Sequence, residues 1–138
     1  MISVDEALAA LLDLVSPLAV ENIPLRAAAG RVVARDVTTA LTQPPFAASA
    51  MDGYALRGAE VESDALFKVI GEAAAGHAFD GEVKPGQTVR IFTGAPVPQG
   101  ADFIVIQEDV TRRDDLITLG PSITRQDFVR PEGGDFRA

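Results

Sequence analysis

Apolar residues near the start of the chain recur at helical spacing. One stripe, at intervals of three and four residues, comprises Val4, Leu8, Leu11, Leu12 and Val15. Ser3, with Glu6 three residues later, has the pattern of a capping box, which predicts that a helix begins at Ser3. Pro17 ends this helix, because proline has no backbone N–H to donate. The opposite side is more polar, so we expect the apolar stripe to pack on another surface.

The segment 26–35 is rich in alanine and contains Val32 and Val33, which predicts a short helix interrupted at Gly30. The flanking segments 21–25 and 36–41 are predicted to be extended. Gln43-Pro44-Pro45 is a stiff connector, because proline fixes its own φ and restricts the residue before it. We interpret this connector as a boundary between two domains.

Beyond the connector, short apolar runs alternate with clusters of Gly, Pro and Asp. Four runs have the composition of strands: 66–70, 88–92, Phe103–Ile106 and Leu116–Leu119. Several short strands separated by turns are typical of a small barrel or sandwich. Phe103–Ile106 is apolar at every position, which predicts a central strand. The segment 127–138 is predicted to add one more strand and a Gly-rich exit.

The composition excludes several classes of protein. With 47% hydrophobic and 23% charged residues among 138, the chain has the composition of a globular protein. It contains no cysteine, which excludes disulfides, thiolate zinc sites and cysteine nucleophiles. No apolar run reaches the roughly 20 residues of a membrane span, and no signal-peptide pattern is present. We therefore expect a cytoplasmic protein without membrane contact.

The charge of the chain limits its partners further. Lys and Arg number 12 against 20 Asp and Glu, a net charge of −8, and the basic residues are not clustered. This charge balance disfavours unselective binding to nucleic acid or to anionic lipid. An anionic ligand would need local donors, a metal ion or another part of the molecule.

The stretch PPFAASAMDGYAL, residues 44–56, contains a carboxylate with two possible roles. Asp52-Gly53 between hydrophobic residues is typical of a hairpin turn. The rigid Pro-Pro-Phe segment before it also favours a positioned carboxylate that binds a metal or orients an oxyanion. Met51 and Tyr54 are expected to anchor the base of the loop in the core.

A second candidate is Thr93-Gly94, directly after the predicted strand 88–92. Such a turn either simply ends the strand or presents a hydroxyl and backbone N–H groups to an oxyanion. The remaining polar candidates, which are more typical of solvated loops than of catalysis, are Asp102, Glu108, Asp109 and the single histidine, His77. The residues alone therefore indicate half of a site.

Three motifs carry a resemblance to a known family. PPF…SAMDGYAL, VRIFTGAPVPQGADFIVIQED and FVRPEGGDF resemble the N-terminal half of the molybdopterin molybdenumtransferases, which include bacterial enzymes and the E domain of gephyrin. SVDEAL and IPLRAAAGRVVARDV fit the same pattern. Phe46-Ala47-Ala48-Ser49 departs from it, because the family usually carries polar residues before the serine.

The resemblance implies an activity and a site. The family inserts molybdate into adenylylated molybdopterin with magnesium and releases AMP, in the last step of molybdenum cofactor synthesis. By resemblance, Asp52 and Thr93 are catalytic: Asp52 orients magnesium or molybdate, and Thr93 donates to a phosphate or molybdate oxygen. The substrate-binding loops would be shaped by Ser49, Met51, Gly53, Gly94 and Asp135. A scaffold or dimerisation module related to gephyrin, without catalysis, is the alternative.

The resemblance also implies an architecture. We expect an α+β, β-rich fold with a discontinuous helical and extended domain, 1–43 plus 125–138, and an inserted β domain, 44–124. Family members continue into an α/β domain and form homodimers whose active site lies between subunits. We therefore expect an N-terminal fragment that binds no cofactor tightly and has no turnover alone.

Overall fold

The computed structural model describes residues 2–123 and 128–138, and the chain divides into two compact units, Met1–Val37 and Thr38–Ala138. The segment from 128 onward belongs to the second unit by this division. The discontinuous domain, 1–43 plus 125–138, stays a prediction. Its limit at 124–125 lies outside the described residues.

The first unit contains helix α1, Val4–Leu12, which begins with the predicted capping box. The Glu6 N–H donates to Ser3 Oγ at 3.2 Å, and the Ser3 N–H donates to Glu6 Oε2 at 2.7 Å. The Ser3 N–H, followed by its hydroxyl, lowers the pKa of the Glu6 carboxyl. No residue of the helix is buried, so its apolar stripe has exposed members such as Val4 and Leu11.

Two predictions for this unit are wrong. Helix α1 ends at Leu12 rather than near Pro17, because the next N–H groups, of Leu14 and Val15, donate to carbonyls three residues back instead of four. The segment 26–35 forms only a single 3-10 turn, Leu25–Ala27. Gly30 adopts a positive φ of 76°, and a helix this short is marginal without a packed face. With nine residues, the one α-helix in the described ranges is too short to cross a bilayer.

The second unit is built from strands. In the described residues they are β1 Ala48–Ser49, β2 Gly53–Leu56, β3 Leu66–Ala73, β4 Gln87–Ile91, β5 Phe103–Ile106, β6 Val110–Arg113, β7 Leu116–Leu119 and β8 Val129–Arg130. Strands β1 and β8 form a two-stranded antiparallel sheet. The other six form a mixed sheet in the order β5-β2-β4-β3-β7-β6, in which β3 and β4 are parallel. The β-rich class is confirmed.

The four strands predicted from apolar runs are confirmed as β3, β4, β5 and β7, and the strand predicted near the end is β8. The two-residue strand β1 was not predicted from the residues, and neither were β2 and β6. The sequence GYAL of β2 begins at the glycine of the predicted turn, and VTRR of β6 has no apolar alternation. Both form because neighbouring strands supply hydrogen-bond partners on at least one side.

The predicted central position of β5 is wrong, because β5 lies at one end of the sheet order. It is apolar throughout since both of its faces are covered. Ile104 packs with Ala55 and Ile91 in one core cluster, whereas Val105 packs in a second cluster that includes Tyr54. Burial on two faces, rather than a place in the middle of the sheet, explains the continuous apolar run.

The six-stranded sheet is curled. Its two outermost strands, β5 and β6, are separated in the chain only by the 3-10 turn Gln107–Asp109. Six flat strands would place the outer two about 24 Å apart, whereas the connection spans at most about 14 Å. The sheet must therefore bend toward a half-barrel, with the Asp52 loop at the start of β2.

Candidate functional site

Asp52 lies immediately before β2, and the strands on both sides of β2 determine its position. Gly53 pairs with Ile91 of β4 and with Ile106 of β5. A Cβ on Gly53 would lie 2.1 Å from the Val105 carbonyl oxygen, so only glycine fits between these strands. The Asp52 carbonyl accepts a hydrogen bond of 3.1 Å from the Gln107 N–H.

The hairpin interpretation of Asp52-Gly53 is not what the fold shows. Strand β1, before the loop, pairs with β8, whereas β2, after it, pairs with β4 and β5. The loop thus passes from one sheet to the other. The position of Asp52 at this crossing is therefore set by the strands that flank β2 and not by a hairpin turn.

Thr93 is the direct partner of Asp52. Its backbone N–H and its hydroxyl both donate to Asp52 Oδ1, each at 2.8 Å. The pairing of Gly53 with Ile91 brings the two loops together, since residue 52 then lies beside the end of β4. The structure therefore brings together the two residues that the resemblance placed in one cleft.

These hydrogen bonds stabilise the ionised form of Asp52. The Thr93 N–H, followed by the Thr93 hydroxyl and then the charge of Arg90, lowers the pKa of the Asp52 carboxyl, and partial desolvation opposes this. Because the folded pKa is lowered, ionisation of Asp52 favours the native state above about pH 4. This contribution is lost as the pH falls through the lowered pKa.

We expect the Thr93→Val variant to raise the pKa of Asp52 toward its ordinary value, because valine keeps the shape and the N–H but removes the hydroxyl donor. Carbon-13 NMR of the Asp52 carboxyl across an acid titration measures this shift. Thr111→Val, an exposed threonine of β6, is the control and leaves that titration unchanged. An unshifted Asp52 in Thr93→Val would contradict the assigned cause.

The two loops are tied to each other through Ser49, which is buried. Its hydroxyl donates to the Met51 carbonyl at 2.5 Å, and its N–H donates to the Ala95 carbonyl at 2.9 Å. The Gly94 N–H donates back to the Ser49 carbonyl at 2.8 Å, from a backbone with a φ of 83° that favours glycine. The polar groups of Ser49 thus hold the loops, and its hydroxyl is directed into its own loop.

The predicted anchors of the Asp52 loop differ from each other. Tyr54 is 5% exposed and belongs to a core cluster, as predicted. Met51 is 40% exposed, so its predicted anchoring role is wrong. The reason is the direction of the chain, which enters the sheet only at Gly53 and leaves Met51 outside it. Phe46 of the lead-in is exposed as well.

Asp135 is near the β1–β8 sheet. The Arg130 guanidinium nitrogen Nη2 lies 2.9 and 2.8 Å from the two Asp135 carboxylate oxygens, and the Asp135 N–H donates to the Gln43 carbonyl at 2.9 Å. The Ala50 N–H donates to the Phe128 carbonyl, which joins the two segments. No hydrogen bond among the described residues links Asp135 directly to Asp52 or Thr93.

The other polar candidates have local roles. The Asp102 carboxylate accepts a 2.6 Å hydrogen bond from the Gly58 N–H, and Glu108 accepts one from the Gln107 amide. His77 exchanges backbone hydrogen bonds with Ala74 in a tight turn. Nowhere in 2–123 or 128–138 do three His, Cys, Asp or Glu residues gather as a metal cluster.

Sequence reasoning missed Arg90, a partly buried residue of β4. Its Nη1 donates to the Gly53 carbonyl at 3.2 Å and its Nη2 to Gln107 Oε1 at 2.7 Å. The guanidinium carbon lies 5.1 Å from the centre of the Tyr54 ring and 4.6 Å from that of Phe92. The available signal was a lone cation inside the apolar run TVRIF.

Comparison with known proteins identifies the class to which this fold and site belong. Residues 2–138 match the family model of the MoeA N-terminal region (domain I and II), so the chain belongs to this family. A molybdopterin molybdenumtransferase of Haemophilus influenzae is 37% identical over 99% of the chain, and one of Synechococcus elongatus is 34% identical over 88%. The chain covers 34% and 32% of these relatives, about a third of each.

A solved structure shows the same fold. The molybdopterin biosynthesis MoeA protein of Pyrococcus horikoshii OT3 superposes with a TM-score of 0.77 at 34% identity. The superposition covers 96% of this chain and 37% of that protein. The predicted resemblance to the molybdopterin molybdenumtransferase family is thereby confirmed.

Proposed function

We propose that this chain is the part of a molybdopterin molybdenumtransferase that supplies Asp52 and Thr93 to the site where molybdate enters adenylylated molybdopterin and AMP leaves. The observation that carries the proposal is the hydrogen-bonded Asp52–Thr93 pair on two mutually tied loops. It occurs in a chain whose relatives are named for this activity. The catalytic roles of Asp52 and Thr93 are part of this proposal.

In the proposed reaction Asp52 acts as a fixed anion. Thr93 saturates Oδ1, so Oδ2 is the oxygen that remains for an external ligand. The lowered pKa keeps this oxygen unprotonated near neutral pH. The Thr93 hydroxyl donates to Asp52, so it can donate to a phosphate or molybdate oxygen only by exchanging that partner.

Magnesium fits Asp52 only as part of a shared site. Magnesium sites commonly use one or two carboxylates together with phosphate oxygens and water. Asp52 offers one carboxylate, and the described residues contain no cluster that would enclose the ion. We propose that Asp52 holds magnesium jointly with the bound nucleotide, where the ion would neutralise phosphate charge.

The remaining groups of the site would come from elsewhere. The net charge of −8 disfavours an anionic pterin nucleotide, and the Arg90 guanidinium already donates to Gly53 and Gln107. We propose that a further domain and the partner subunit of a homodimer supply the cationic groups. The exposed Asp52 loop would then form one wall of a cleft between subunits.

We expect the 138-residue chain alone to release no AMP from adenylylated molybdopterin with molybdate and magnesium, because it offers only one wall of the cleft. Chromatographic detection of AMP over hours measures this. The full-length Haemophilus influenzae relative under the same conditions is the positive control. Turnover by the isolated chain would contradict the expectation.

A chimera tests the proposed function itself. This chain replaces the third of the Haemophilus influenzae relative to which it aligns. We expect AMP release and molybdenum insertion by the chimera. The same exchange made with the aligned part of the Synechococcus elongatus relative, 34% identical to this chain, controls for tolerance of foreign segments. A folded chimera without activity, beside an active control, would reject the proposed function.

A further inference from the structure

We propose that Arg90 is a positioning residue that fixes the Asp52–Thr93 pair by binding the backbone and side chains next to both members. Its relevance to catalysis rests on the proposed function, whereas the contacts that support it do not. Arg90 touches neither Asp52 nor Thr93 through a hydrogen bond of its own. It acts through Gly53, Gln107 and Phe92.

On the Asp52 side, Arg90 holds the chain at two points. Nη1 donates to the carbonyl of Gly53, the residue directly after Asp52. Nη2 donates to the side chain of Gln107, whose own N–H donates to the Asp52 carbonyl. The peptide carbonyls of residues 52 and 53 are therefore both bound within one network that has Arg90 at its centre.

On the Thr93 side, Arg90 packs on the ring of Phe92, the residue directly before Thr93. Residues 90 and 92 are two apart along an extended chain and so point to the same side of it. Tyr54 of β2 pairs directly with Arg90. The guanidinium contacts both rings, so it links the end of β4 to the start of β2. Cation–π contacts of this kind strengthen when partly shielded from water.

The geometry requires arginine rather than a cation in general. Two different nitrogens donate to two acceptors while the planar face contacts the rings. A lysine ammonium is a single point of charge on a flexible stem and cannot make these contacts together. The charge of lysine would be retained, but the connection between the two loops would be lost.

Amide exchange and proton shifts of the nitrogen-15-labelled chain test this proposal. In Arg90→Lys we expect exchange of the Thr93 and Gln107 amides to accelerate at least about tenfold, as a local opening becomes easier. The Thr93 amide proton should also shift upfield as its bond to the carboxylate weakens. The amides of Phe67 and Ile117, in β3 and β7, stay unchanged. A purely structural role would accelerate all of them alike.

Two further variants make the result decisive. Arg112→Lys changes an arginine of β6 that donates to the Asp114 carbonyl, and it leaves Thr93 unaffected. Gln107→Leu keeps Arg90 but removes one acceptor, and we expect a smaller change at Thr93 in the same direction. Native exchange and shift of Thr93 in folded Arg90→Lys would overturn the proposal. If Arg90→Lys does not fold, an unchanged Thr93 in Gln107→Leu would overturn it. None of these measurements depends on turnover, so the proposed function is tested separately.

Discussion

Asp52→Asn in the active chimera is expected to lower the rate of AMP release at least about a hundredfold, as loss of a preorganised charged group at a reaction centre does. Asparagine has the same shape, and its side-chain oxygen can still accept from the Thr93 N–H and hydroxyl. The loop therefore keeps its position while the negative charge is removed. Initial rates with saturating molybdate and magnesium measure the effect.

Asp115→Asn is the matched control for this prediction. Asp115 is an exposed carboxylate in the turn between β6 and β7, 3.8 Å from the Lys68 ammonium, and its loss is expected to leave the rate unchanged. Asp52→Ala in the chimera extends the test to cells that lack the endogenous transferase. Undiminished molybdoenzyme activity there would favour the alternative, a scaffold or dimerisation module in which Asp52 has no catalytic role.

Gly53→Ala is expected to destabilise the second unit by about 3 kcal/mol or more, at the upper end of the cost of overpacking. The added Cβ would lie 2.1 Å from the Val105 carbonyl oxygen and 2.9 Å from its carbon, and both belong to backbone that is paired in β5. The strands would have to separate, because no rotamer change relieves a backbone contact. The midpoint of urea unfolding measures the loss.

Gly58→Ala is the control for Gly53→Ala. Its added Cβ would lie 3.3 Å from Asp102 Oδ1 and from Phe103 Cβ, so a shift of a few tenths of an ångström relieves the contact. We expect a change below about 1 kcal/mol for this variant. Equal destabilisation by the two substitutions would contradict the prediction, because it would show that the close approach of β5 to Gly53 does not cause the loss of stability.

The apolar pattern predicted the strands that alternate or are fully buried, and it failed where tertiary pairing decides. Strand β5 was identified by its composition, but its place in the sheet depends on which strands cover its faces. Strand β6, with the sequence VTRR, has a polar sequence and exists because β7 pairs with it. The pairing partner of a strand, whether near or far in the chain, leaves no mark on the composition of that strand.

The sequence was enough to predict two residues of the candidate site, but not the hydrogen bonds that join them. Asp52 and Thr93 stand out through motif and resemblance, yet the bonds between them depend on the register of β2 against β4. Arg90 lies inside an apolar run, where a single cation is easily read as an exposed strand position. Its contacts to Gly53 and Gln107 appear only when three strands are assembled.

The position of β2 between β4 and β5 also determines when the site can form during synthesis. Both strands that flank β2 are translated after it, and the pairing ends at Ile106. At about 5–20 residues per second, the roughly fifty residues from Gly53 to Ile106 take several seconds to emerge. During this interval the nascent chain carries Asp52 on an unpaired apolar strand. The carboxylate is held in its final position only when β4 and β5 have paired with β2, so the site cannot form before Ile106 has emerged.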